Sequence, residues 1–114
     1  MTRIMRIATF NCNSVRSRLD AVLRWLSDYT PDVLCLQETK VTDDLFPAEA
    51  FTAAGWHVAF KGEKSYNGVA IVSKQPADEI FFGLDSEPAD PTRLIHARFG
   101  EVHVVNTYVP QGRD

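Results

Sequence analysis

The sequence predicts an α/β fold built around a mixed β-sheet, and three features support this. The first 40 residues have the pattern strand, helix, strand, which makes the two strands parallel and the crossover right-handed. The later residues contain several β-rich segments separated by Gly, Pro or Asp, a pattern typical of antiparallel strands. The composition, 45% hydrophobic and 24% charged over 114 residues, is that of an ordinary globular protein and excludes a disordered or collagen-like chain.

The N-terminal βαβ unit is predicted from its hydrophobic periodicity. Residues 4–10 (IMRIATF) are mostly apolar or β-branched and predict the first strand. A helix is then indicated by apolar residues at helical spacing, namely Val15, Leu19, Val22, Leu23 and Leu26. Ser17 and Asp20 resemble a capping box at its start, and Pro31 ends it. The consecutive apolar residues of segment 32–37 (DVLCLQ) predict a strand covered on both faces.

The remaining elements follow from turn signals. A short helix is predicted over residues 47–54, with Pro47 in its first turn and Gly55 beyond its end. Strands are predicted over residues 56–60, 68–73, 79–82, 94–99 and 102–109. Gly100 and Glu101 form a connection short enough for a hairpin between the last two.

Charge and cysteine content restrict the class of protein. The net charge of −3 argues against a chain that binds nucleic acid with its whole surface. Residues 1–40 nevertheless hold six basic and four acidic residues, which leaves open either a local basic site or a solvated charged face. Two cysteines are too few for a disulfide framework, and no apolar run reaches the roughly 18 residues of a membrane span. We therefore expect a cytoplasmic protein.

Polar residues follow both strands of the βαβ unit. Asn11 and Asn13 come after the first strand, and Gln37, Glu38 and Lys40 come at or after the end of the second. Because functional groups collect beyond the carboxyl ends of parallel strands, we expect Asn11 and Glu38 to lie close together. A carboxylate with an amide oxygen suits Mg²⁺ or Mn²⁺. Alternatively, the two asparagines only shape the turn into the helix while Glu38 pairs with Lys40.

Four blocks of sequence resemble the exonuclease III type of AP endonuclease, in the endonuclease/exonuclease/phosphatase superfamily. The blocks are TFNCNSVRSR at 9–18, PDVLCLQETK at 31–40, YNGVAI at 66–71 and VVNTYVPQG at 104–112. The resemblance implies half of a two-sheet α/β sandwich with helices outside, so residues 1–114 are expected to form the N-terminal half of one domain whose C-terminal half is absent. Much of the inner sheet face would then be open.

The resemblance also implies roles near a magnesium ion, with manganese as a possible substitute. Glu38 is expected to be a direct metal ligand. Asn11 matches an asparagine beside the metal and the scissile phosphate, and Asn13 matches a position that binds the metal indirectly, through water. Tyr108 matches a tyrosine that donates a hydrogen bond toward the attacked phosphate, although the strand pattern alone would make it a half-buried core residue.

Four further positions match residues that bind the DNA substrate, namely Arg16, Lys40, Tyr66 and Asn67. The implied function is magnesium-dependent DNA repair: cleavage 5′ to abasic sites and removal of nucleotides from 3′ ends of double-stranded DNA. The family's base, supplied by second-half G-D-x-N and S-D-H motifs, has no counterpart in this sequence. We therefore expect the chain alone to be inactive. The alternatives are a catalytically silent metal-binding or DNA-binding fragment and a phosphatase of the same superfamily.

Overall fold

The computed structural model describes residues 4–63, 66–83 and 94–108. In chain order the elements are β1 (Ile7–Asn11), α1 (Val15–Tyr29), β2 (Val33–Gln37), a 3₁₀ turn (Asp43–Leu45), α2 (Ala48–Ala53), β3 (His57–Glu63), β4 (Tyr66–Ser73), β5 (Glu79–Phe82), β6 (Leu94–Phe99) and β7 (Val102–Thr107). The strands form a first sheet in the order β1-β2-β4-β3 and a second sheet in the order β5-β6-β7.

The first sheet contains the predicted βαβ unit. Strands β1 and β2 pair in parallel, with Asn11 opposite Gln37 at their carboxyl ends. Strand β4 then pairs antiparallel with both β2 and β3, so the sheet is mixed, as the sequence predicts. In the second sheet β6 and β7 form the hairpin expected across residues 100 and 101. The α/β prediction is confirmed.

Helix α1 begins one turn earlier than the predicted capping box. The N-cap is Ser14, whose hydroxyl oxygen accepts a hydrogen bond from the Ser17 backbone N–H at 3.3 Å. The cap predicted at Ser17 is therefore wrong, because Ser17 is the third helical residue and donates to the cap. The predicted end is confirmed: Thr30 adopts a left-handed conformation, its N–H donates to the Leu26 carbonyl at 2.8 Å, and Pro31 follows.

Two apolar layers lie on opposite faces of the first sheet. On the outer face α1 buries Val15, Val22 and Leu26 against strand residues such as Leu34 and Val72. On the inner face the second sheet packs against the first, with Val33, Cys35, Val69 and Ile71 meeting Ile95, Ala97 and Val104. Successive residues of β2 alternate between these layers, and all four from Val33 to Leu36 are buried. The prediction of a strand covered on both faces is confirmed, and so is the two-sheet architecture.

The expectation of a largely open inner face is wrong for β2 and β4. Their inner side chains are buried by the second sheet of the same chain. It holds for β1, where Ile7 remains 50% exposed. Strand boundaries also differ slightly: β3 continues to Glu63 and β7 ends at Thr107. Among the residues described, no helix has the length and apolar character needed to cross a bilayer.

Candidate metal and phosphate site

The ends of β1 and β2 are joined by backbone hydrogen bonds that continue beyond the strands. The N–H groups of Cys12, Ser14 and Val15 donate to the carbonyls of residues 37, 38 and 39 at 3.0, 2.8 and 3.0 Å. Asn11 and Asn13 are exposed while Cys12 between them is fully buried, so the two asparagines and the cysteine lie on opposite sides of the chain. The start of α1 is thereby held against the residues that follow β2.

Glu38 is the centre of a polar cluster at the carboxyl ends of β1 and β2. We call this edge of the first sheet the rim. Its Oε2 accepts a hydrogen bond from Asn11 Nδ2 at 2.7 Å, which confirms the predicted proximity of the two residues. Its Oε1 lies 3.4 Å from Lys40 Nζ, so the alternative ion pair is present as well. Tyr108, which follows β7 of the second sheet, donates its hydroxyl to the same carboxylate. The cluster therefore joins residues from both sheets.

The surroundings of Glu38 favour its ionised form. The hydrogen bond from Asn11 is the largest influence and holds the pKa of the carboxyl below its usual range. Partial burial opposes this shift, whereas Lys40 and Tyr108 add to it. Lys40 Nζ also donates to Asn13 Oδ1 at 2.5 Å, which orients the ammonium between the two side chains. The carboxylate is thus held charged and directed toward the rim.

Backbone conformations with positive φ are concentrated at the same rim. Six described residues other than glycine have positive φ, and five of them lie here: Asn13 (46°), Ser14 (94°), Glu38 (55°), Lys40 (54°) and Asn67 (46°). A left-handed conformation costs a residue with a Cβ roughly 1–2 kcal/mol, so such residues persist only where surrounding contacts hold them. This concentration is typical of a functional site.

Thr39 holds residues 38–40, which follow β2, against β4. Its side chain is buried, and its N–H donates to the Gly68 carbonyl at 3.2 Å. The Lys40 N–H donates to the Asn67 carbonyl at 3.0 Å. A Cβ at Gly68 would lie only 2.0 Å from Thr39 Oγ1, so the close approach requires glycine. Glu38 and Lys40 therefore project from a segment that is fixed by β4.

The four predicted substrate-binding residues are placed unequally around this cluster. Lys40 belongs to it, and Asn67 contacts it through the backbone. Arg16 is exposed in the first turn of α1, beside the rim. Tyr66 is the first residue of β4, and its side chain lies outside the part of the structure that is described.

None of the three histidines, all of which are described, lies at the rim. His57 pairs with Ser73, opposite Val33, at the other end of the first sheet. His96 and His103 contact each other, with 2.7 Å between His96 Nε2 and His103 Nδ1, on the face of the second sheet that points away from the first.

Sequence reasoning placed Gln37 at the end of the second strand but assigned no role to Asn106, and it missed the contact between the two. Gln37 Nε2 donates to Asn106 Oδ1 at 2.7 Å, and Asn106 is only 2% exposed. The signal that could have revealed this contact is the position of Asn106: it lies two residues after Val104 and therefore faces inward from β7. A polar side chain at a core position of a strand predicts a partner inside the protein.

The oxygen ligands available at this site fit a magnesium ion that is bound by a single carboxylate. Asn11, Lys40 and Tyr108 make three contacts with the Glu38 carboxylate, which has about four acceptor positions, and its side chain is still 21% exposed to solvent. Mg²⁺ usually takes one or two carboxylates and keeps several waters. Within residues 4–63, 66–83 and 94–108 no group of three His, Cys, Asp or Glu side chains could hold a metal, which argues against a zinc centre there. The roles of Asn11 and Asn13 as metal ligands stay predictions.

Comparison with known proteins supports the resemblance. Residues 8–113 match the Endonuclease/Exonuclease/phosphatase family. Exodeoxyribonuclease III of Haemophilus influenzae is 36% identical over 113 residues, covering 95% of this chain and 42% of the relative. An AP endonuclease structure from Archaeoglobus fulgidus superimposes with a TM-score of 0.91 at 53% identity, covering 96% of this chain and 42% of that one.

A second solved structure, the 3′ phosphatase NExo from Neisseria bound to a product DNA hairpin, has a TM-score of 0.87 at 46% identity. It covers 92% of this chain and 41% of that one. The chain therefore spans less than half the length of the relatives it matches. The resemblance to exonuclease III type AP endonucleases is confirmed, and the chain belongs to the endonuclease/exonuclease/phosphatase family.

Proposed function

We propose that this chain forms the metal-binding and phosphate-facing part of a magnesium-dependent DNA repair nuclease with AP endonuclease and 3′ to 5′ exodeoxyribonuclease activities. The main support is the cluster in which Asn11, Lys40 and Tyr108 converge on Glu38. Relatives named exodeoxyribonuclease III and AP endonuclease favour DNA as the substrate. Abasic sites and 3′ ends of double-stranded DNA are the proposed targets, and the cytoplasm is the proposed location.

Glu38 would hold the metal ion, Mg²⁺ or alternatively Mn²⁺. When bound, the ion would supply positive charge beside the phosphate, where phosphodiester hydrolysis develops negative charge. The hydrogen bond from Asn11 fixes the orientation of the carboxylate and keeps it ionised. Asn13 holds Lys40 and would contact the metal through water.

The remaining polar groups would bind the phosphate and the DNA backbone. The Tyr108 hydroxyl and the Lys40 ammonium both contact the Glu38 carboxylate, so both would lie near a bound phosphate and could stabilise charge on its oxygens. Arg16, Tyr66 and Asn67 would contact neighbouring backbone phosphates. Such contacts position DNA without reading its sequence, which suits an enzyme that recognises a lesion.

The proton acceptor for the attacking water would come from outside the described residues. None of the three histidines reaches the rim. Because relatives are more than twice as long, we propose that residues 1–114 form the N-terminal half of a single domain and that the chain alone is inactive. A second half carrying the base would complete the site.

Removal of a 3′-phosphate from DNA is a second candidate function. It is favoured by the structural match to a Neisseria 3′ phosphatase. The donors around Glu38 would serve a phosphate monoester equally well, because negative charge develops on the same type of oxygen. The two reactions differ in the group that leaves and in how the DNA end is placed.

A chimeric enzyme tests the proposal. Residues 1–114 would replace the matching segment of the Archaeoglobus fulgidus AP endonuclease, and cleavage would be followed with Mg²⁺ on duplexes carrying an abasic site or a 3′-phosphate. We expect abasic-site cleavage by the chimera and none by the isolated chain. Glu38→Gln should lower the rate at least about 100-fold. The relative rates on the two duplexes show which of the two reactions residues 1–114 support when they are joined to that second half.

Glu101→Gln is the matched control, since Glu101 is an exposed carboxylate in the β6–β7 turn. It should leave the rate within about twofold of the unsubstituted chimera. A chimera that prefers a phosphoinositide over both duplexes, or that is unaffected by Glu38→Gln, would overturn the proposal. Mn²⁺ binding to the isolated chain, measured by water-proton relaxation, should likewise weaken with Glu38→Gln and persist with Glu101→Gln.

A further inference from the structure

We infer that Asn106, together with Gln37, is a positioning residue that sets the second sheet on the first so that the Tyr108 hydroxyl reaches Glu38. The contacts that support this are independent of any metal or DNA. The catalytic meaning of the inference rests on the proposed function, because Tyr108 and Glu38 are the groups assigned to phosphate and metal.

Asn106 forms hydrogen bonds with both central strands of the first sheet. Its Nδ2 donates to the Leu36 carbonyl at 2.9 Å and to the Ala70 carbonyl at 2.8 Å. Leu36 and Ala70 are register partners on β2 and β4, so the amide lies across the pair. Its Oδ1 accepts the hydrogen bond from Gln37 Nε2 at 2.7 Å. One buried side chain thus joins β7 to two strands of the other sheet.

Most of the other buried contact between the sheets, within the described residues, is apolar. Val33, Cys35, Val69 and Ile71 meet Ile95, Ala97 and Val104. Apolar contacts have no preferred direction, so they fix the position of one sheet on the other less strictly than hydrogen bonds do. A buried amide that loses its partners costs about 1–3 kcal/mol. A slip of β7 along the first sheet would break the bonds of Asn106, and the amide therefore favours one arrangement of the sheets.

Gln37 and Asn106 are close in sequence to Glu38 and Tyr108, so the arrangement of the two sheets affects the site. Gln37 directly precedes Glu38, and Asn106 lies two residues before Tyr108, which follows the end of β7. A slip of β7 by one residue would move Tyr108 by about 3.4 Å, which exceeds the length of a hydrogen bond. It would also turn the tyrosine to the opposite face. The Gln37–Asn106 contact is therefore placed to control the Tyr108–Glu38 contact.

Gln37 extends the connection to β1. Its Nε2 also donates to Thr9 Oγ1 at 2.8 Å. Thr9 is two residues before Asn11, the other side chain bound to Glu38. Because this second bond lies within the first sheet, Thr9 offers a control that disturbs Gln37 without touching the contact between the sheets.

A double-mutant cycle in metal-free buffer tests the inference. Urea unfolding is measured for four proteins: the parent chain, Tyr108→Phe, Glu38→Gln and the double variant. Together they give the coupling between the two side chains. We expect this coupling to change the unfolding equilibrium constant by about tenfold. In an Asn106→Ala background it should fall below about twofold. Gln37→Met, a milder variant that leaves the Asn106 donors in place, should also reduce it, whereas Thr9→Val should not.

A merely structural role for Asn106 predicts a different result. The variants would then be less stable while the Tyr108–Glu38 coupling stayed at its original size, and this outcome overturns the inference. If Asn106→Ala does not fold, an undiminished coupling in Gln37→Met overturns it equally. Mn²⁺ binding separates the two proposals: loss of coupling with no effect of Glu38→Gln on Mn²⁺ affinity supports the positioning role and contradicts the metal assignment.

Discussion

Asn11 Nδ2 lies 2.7 Å from Glu38 Oε2, although the two residues are 27 positions apart in the chain. The contact follows from the parallel pairing of β1 and β2, which ends with Asn11 opposite Gln37. It is also the largest reason for the lowered pKa of Glu38. The architecture of the sheet therefore determines the ionisation of the central carboxylate.

Asn11→Ala should raise the pKa of Glu38 toward its ordinary value, because the strongest hydrogen bond to the ionised form is lost. Tyr108→Phe should raise it by less, since Tyr108 makes the smallest of the lowering contributions. The measurement is the pH titration of the Glu38 side-chain carboxyl carbon by NMR. A larger shift in Tyr108→Phe than in Asn11→Ala would contradict the order of the contributions.

Asn11→Ala should also change how the stability of the fold depends on pH. A carboxyl with a lowered pKa in the folded state stabilises the fold above its unfolded pKa of about 4.3, and this contribution disappears as pH falls through the folded value. Asn11→Ala should therefore be less stable than the parent chain at pH 7, with the difference shrinking below about pH 4. Urea unfolding at several pH values checks this, and a difference that grows toward low pH would refute the assignment.

Gly68→Ala should lower the free energy of unfolding by about 3 kcal/mol or more, because the added methyl group meets Thr39 in a packed environment. Gly55→Ala is the matched control. Gly55 has a φ of +92°, close to the +95° of Gly68, but nothing lies within 4 Å of its added Cβ. It should cost only about 1–2 kcal/mol from backbone strain. Equal losses in the two variants would show that the Thr39 contact is unimportant.

Thr30→Gly should stabilise the chain by about 1 kcal/mol. Thr30 ends α1 with a φ of 40° and ψ of 61°, a left-handed conformation that a β-branched residue adopts at a cost. Its backbone bond to the Leu26 carbonyl is kept in the variant. Thr52→Gly, the same change in the exposed part of α2, should instead destabilise by a few tenths of a kcal/mol. Thermal unfolding of both variants compares them, and destabilisation by Thr30→Gly would argue against the left-handed cap.

Cys12 and Cys35 should be unreactive in the folded chain. Burial is the main reason that the pKa of each thiol is raised to about 11, so little thiolate exists near neutral pH. Alkylation by iodoacetamide at pH 7.5 should be at least about 100-fold slower in the folded chain than in urea. Mass spectrometry after timed quenching measures the rate at each cysteine. Rapid modification of Cys12 in the folded chain would indicate that the rim opens.

Local pattern predicted the elements well where the periodicity was strong. Strands β5 and β6 have the predicted boundaries, and α1 buries Val15, Val22 and Leu26 from the predicted face. The helix start was predicted one turn late because Ser14 and Ser17 are chemically equivalent caps in sequence. In the structure Ser14 is the residue whose hydroxyl oxygen accepts the capping hydrogen bond, which comes from the Ser17 N–H.

The contact between Asn11 and Glu38 follows from chain order alone, because a βαβ unit must align the carboxyl ends of its strands. Sequence resemblance also marked Tyr108, but its contact with Glu38 depends on how two separate sheets pack. Strand periodicity assigns a side chain to a face and carries no information about which residue of another sheet lies opposite. The coverage of the inner face of β2 and β4, and the burial of Asn106 between the sheets, were likewise settled by packing between distant segments.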